Sequence, residues 1–95
     1  MSDLSFHVRE FLPDCQGEEL ELRKSLLVAR SYAADLRGKV WSRTALEHAA
    51  DAHQLAEAIV FAEVPADRLK IALAYCRNLV HAAFLADHLE EGIAQ

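Results

Sequence analysis

From Leu69 to Leu89, apolar residues recur at helical spacing on two opposite faces of one segment, and this doubling constrains the fold more than any other feature. At about 100° per residue, Leu69, Ala72, Leu73, Cys76, Leu79, Val80, Ala83 and Phe84 share one side. Ile71, Tyr75, Ala82, Leu85 and Leu89 lie opposite, interrupted by Asn78. A helix on the surface of a small monomer needs one apolar stripe. Each leucine-sized side chain left in water forgoes roughly 1.5–3 kcal/mol of burial. The second stripe therefore calls for a partner, and the simplest is another copy of the chain, because two-fold dimers are the commonest assemblies.

An earlier segment carries the same doubling. Leu22, Leu26, Ala29, Ala33 and Leu36 make one stripe, and Leu20, Leu27, Ser31 and Ala34 make another on the opposite side. Between them Arg23, Arg30 and Arg37 recur every seven residues in a column. The segment between these two has a single apolar face of Ala45, Ala49, Ala52, Ala56, Ile59 and Val60. Its residues are mostly small, so a neighbouring helix can approach closely.

Breakers separate the three segments. Pro13 and Gly17 mark the first break. In Arg37–Thr44, Gly38 suits a left-handed position after a helix, and Thr44 with Glu47 fits a capping box. Trp41, in that connection, is expected to plug the end of the bundle. Pro65 suits the first turn of a helix, with Asp67 facing the positive end of its dipole. The reading is one all-α domain over residues 1–95: an antiparallel bundle of long helices near 17–37, 43–63 and 65–91. A short helix near 5–12, with Leu4, Val8, Phe11 and Leu12 on one side, precedes them. The bundle is expected to be dimeric.

Composition agrees. Hydrophobic residues are 53% of the chain, too many for a disordered protein, and three glycines and two prolines are too few for an all-β domain. A net charge of −5 disfavours a nucleic-acid partner, because neutralising phosphates takes many Lys and Arg. No secretory signal is visible, and no apolar run approaches the roughly 20 residues that span a bilayer. Cys15 and Cys76, far apart and in no C-x-x-C, read as reduced thiols. These features point to a cytoplasmic protein without a membrane segment.

The densest polar stretch is ALEHAADAHQLAE, Ala45–Glu57. His48 and His53 are five apart and point about 140° away from each other, so they cannot readily clasp one metal. Each lies near an acid of its own, Asp51 and Glu57, and no H-E-x-x-H or E-x-x-H occurs. Cys15 sits in a loop before a helix, where a thiolate is favoured, but no catalytic signature accompanies it. Glycine-rich phosphate loops are absent. With no catalytic set, metal site or cofactor motif, the chain does not read as an enzyme.

Two surfaces remain as candidates. Arg23, Arg30 and Arg37, with the ribbon Lys70, Arg77, His81 and His88, are expected to meet another protein. Leu20, Leu27, Ile71, Tyr75, Ala82, Leu85 and Leu89 are expected to form the dimer interface. A two-fold axis could also set His81 beside its own copy, a pH-responsive contact since histidine charges near neutrality. The functional expectation is a non-catalytic protein–protein interaction module (regulator, adaptor, inhibitor or chaperone) acting as a homodimer. The alternative is a small metal- or ligand-binding bundle enzyme that uses Glu47, His48, Asp51, His53 and Glu57.

Overall fold

Four helices form between the breaks: α1 (Leu4–Phe11), α2 (Gly17–Arg37), α3 (Arg43–Ile59) and α4 (Ala66–Ala94). This computed structural model describes residues 4–94, so residues 1–3 and 95 of the expected domain lie outside the described residues. The all-α reading holds, and α2 has the expected bounds. Arg23 near the start of α2 reaches Val60 at the end of α3, and Asp87 late in α4 reaches Ser42 before α3. Successive long helices therefore run in opposite directions.

The ends of α3 depart from expectation. Its cap is Ser42, not Thr44: the Ser42 side chain accepts from the Ala45 N–H at 3.1 Å, while Thr44 is exposed. Its last helical residue is Ile59 rather than 63, and the chain turns at 60–62 before Pro65. The Pro65 carbonyl accepts the Arg68 and Leu69 N–H groups and opens α4. Gly38 closes α2 with a right-handed φ of −88°, not a left-handed one. Gly17, at φ 67°, is the left-handed glycine among the described residues.

Charged side chains from both neighbours clamp the two ends of α3. At its N-terminus, Asp87 of α4 accepts from the Ser42 N–H at 2.9 Å and the Trp41 N–H at 3.3 Å. At its C-terminus, Arg23 of α2 donates from Nη1 to the Val60 carbonyl at 2.8 Å. An acid at the start and a base at the end both complement the helix dipole. The clamp also explains Trp41, which stays more than half exposed instead of plugging the bundle. Its peptide is drawn to Asp87, and the next residue, Ser42, is the one that turns inward. Asp87→Ala should therefore cost about 1 kcal/mol, the size of a lost N-cap. Chemical denaturation would check this, with Asp87→Asn retaining most of the stability because an acceptor oxygen survives.

The core has two centres. One joins Val8, Cys15, Leu20, Leu26, Leu27, Ala56, Val60, Leu69, Leu73 and Cys76. The other joins Leu36, Ala45, Ala49 and Ala83. The alanine face of α3 is 0–1% exposed, as its small side chains require for close helix contact.

The bundle remains thin. Its extents are 52 × 26 × 18 Å and its radius of gyration is 14.8 Å, against about 12 Å for a globular chain of this length. It exposes 6187 Å². A compact monomer of 10.6 kDa exposes about 5,500 Å².

Candidate interaction surface

The leucines of both apolar stripes of α2 turn inward, while Ser31 and Ala34 of the second stripe stay exposed. Leu20 and Leu27 are buried in the core of the single chain, together with Leu26, Ala33 and Leu36 of the other stripe. They are therefore not available as a dimer interface. α1 lies against α2, and Val8 and Cys15 join Leu20 and Leu27 in one cluster. Near the start of α2 the two stripes are the edges of one wide inward face with Arg23 between them, whereas Ser31 and Ala34 further along are exposed.

The column passes from buried to exposed along α2, and Arg37 at its end is exposed. Arg23 is 1% exposed; besides Val60 it holds Glu19 Oε2 through Nε and Nη2, each at 3.0 Å. Arg30 is half-buried. Arg37 Nη1 lies 3.0 Å from His53 Nδ1 across α2 and α3. An arginine can only donate, so His53 Nδ1 accepts and its Nε2 carries the proton. Nε2 in turn faces Glu57 Oε1 at 3.5 Å. His53 is thus a link in a chain from Arg37 to Glu57, while His48 does not reach Asp51. Among the described residues no three His, Cys, Asp or Glu side chains gather where a metal could be held.

The cysteines are inward too. Burial and the neighbouring Glu19 push the Cys15 thiol up, outweighing Arg23, and burial pushes Cys76 up. A thiol held protonated is a poor nucleophile, so the thiolate-favouring position expected for Cys15 does not arise. Cys76 Sγ donates to the Ala52 carbonyl at 3.6 Å. Both cysteines should alkylate at least about tenfold more slowly in native protein than in denaturant, since reaction requires opening. Mass spectrometry after timed alkylation would check this.

Of the ribbon on α4, Lys70 is engaged within the chain. Its Nζ lies 3.0 Å from Glu18 Oε2, which ties the starts of α2 and α4 and raises the Lys70 pKa. Arg77 lines a groove of about 410 Å³ between α2 and α4, with Lys24, Val28, Tyr32 and Val80. His81 and His88 are exposed.

The outer face of α4 stays open. Ile71 is 68% exposed, Tyr75 58%, Leu85 50% and Leu89 67%, with Asn78 exposed and Ala82 half-buried among them. Their spacing alternates four, three, four, three, four, which keeps all six on one seam. Leu69, Leu73, Cys76 and Ala83, on the other side of the helix, are buried against the bundle. Ala66–Leu89 is also long and apolar enough, by length and composition, to cross a membrane, contrary to the sequence expectation. Here that hydropathy is divided between a face packed in the core and an open seam. Comparison of the chain with known families, curated proteins and solved structures finds no match.

Proposed function

We propose that this protein is a non-catalytic interaction module that works as a homodimer through the outer face of α4. The observation that supports it is the uncovered seam of Ile71, Tyr75, Leu85 and Leu89, each at least half exposed. Four such side chains on each of two copies hold on the order of 6–12 kcal/mol of unused burial. A dimer joined this way leaves Arg77, His81 and His88 along its rim, where they would meet a further protein. The metal-binding alternative has no assembled ligand set among the described residues to support it.

Sedimentation tests the reading. Wild-type protein should have twice the chain mass, and Leu85→Asp should shift it to the single-chain mass with helix content unchanged. The half-exposed Leu85 can take a carboxylate in the monomer but not in an apolar contact. A wild-type chain that sediments as a folded monomer at every concentration would overturn the proposal.

A further inference from the structure

The bulk of the α4 seam is palindromic. Reading Ile71, Tyr75, Asn78, Ala82, Leu85 and Leu89 in order gives two large, two small and two large side chains. We infer that two copies pair antiparallel along α4, about a two-fold axis level with residue 80. This rests on the dimer proposed above and specifies its geometry.

Antiparallel pairing sets Ile71 against Leu89 of the other copy, Tyr75 against Leu85, and Asn78 against Ala82. Every layer then joins an a-type position to a d-type one, as antiparallel helices packed by this spacing require. The small residues fall at the centre, where two crossing helices come closest. Parallel pairing matches each residue with itself. It stacks tyrosine on tyrosine and, seven residues on, alanine on alanine, a wider spread of layer bulk than antiparallel pairing, which sets each tyrosine against a leucine and each alanine against an asparagine.

The flanks obey the same axis. On the flank turned away from the bundle, exposed Ala74 meets exposed His88, and His81 lies beside its own copy. The seam from Ile71 to Leu89 is about 27 Å long at 1.5 Å per residue. Two helices packed along that length bury on the order of 1,000 Å² in total, the lower bound of a specific interface.

Disulfide trapping tests the arrangement in the full chain. The native cysteines are buried, and Ile71, His81 and Leu89 are exposed, so Ile71→Cys, His81→Cys and Leu89→Cys keep the fold. The expected result under mild oxidation is that His81→Cys links to itself. Ile71→Cys and Leu89→Cys should each fail alone and link when mixed, because disulfide geometry tolerates only short Cβ separations. Self-linking by Ile71→Cys and by Leu89→Cys would show parallel pairing and overturn the inference while leaving the dimer intact. No linking by any variant, in protein that sediments as a dimer, would place the interface elsewhere and overturn it too. A monomeric wild type would instead refute the underlying proposal.

Discussion

Arg23→Ala should be the most damaging single substitution of a polar side chain in this protein, lowering stability by about 2–4 kcal/mol. For a domain of this length that corresponds to a fall of roughly 10–25 °C in the unfolding midpoint. The guanidinium is 1% exposed and joins Glu19 to the Val60 carbonyl at the end of α3. Its removal leaves a buried carbonyl without a donor, a void in the core, and the negative end of α3 without its cation. Glu19→Gln separates these contributions. Glu19 is partly exposed, so its ion pair is worth no more than about 1 kcal/mol. Thermal unfolding of both variants gives the comparison. Equal losses would mean that the ion pair, and not the cap on α3, carries the effect.

The second large effect is expected from enlarging the alanine face. Ala49→Leu should cost about 1–3 kcal/mol, because Ala49 is fully buried where α2, α3 and α4 meet at Leu36, Ala45 and Ala83. Three added heavy atoms must push one helix away or occupy a strained rotamer. Ala58→Leu, on the exposed side of the same helix, should be close to neutral. Denaturant titration of the pair distinguishes close helix contact from a general intolerance of leucine in α3. Similar losses at both sites would refute the packing account.

The helices themselves were legible in the sequence. Periodicity and breakers placed α2 at its observed bounds and located the core face of α3 and most of that of α4, whose Phe84 is 46% exposed instead of buried. A helix repeats at a fixed angle, so faces follow from spacing alone. Helix ends were less legible. Thr44 and Glu47 satisfy the capping pattern, yet Ser42 is the residue whose backbone Asp87 holds in place. That contact spans 45 residues of sequence, and local propensity carries no trace of it.

The candidate surfaces divided in the same way. Ile71, Tyr75, Leu85 and Leu89 stay at the surface as expected, while Leu20, Leu27 and Arg23 are drawn inside. On a helical wheel the α2 and α4 stripes look alike. They differ because α1, α3 and α4 close around the start of α2 and cover Leu20 and Leu27, whereas the outer face of α4 has no neighbour among the described residues.

Spacing, breakers and composition alone determined that this chain is all-helical, where its three long helices lie and which residues share a face. Only the tertiary structure decided which of those faces are covered, that arginine in the middle of one is a buried cap, and that Trp41 stays outside. The reason is physical. A helical face is set by angles between residues near in sequence, but burial is set by what packs against it, and those neighbours come from the far end of the chain.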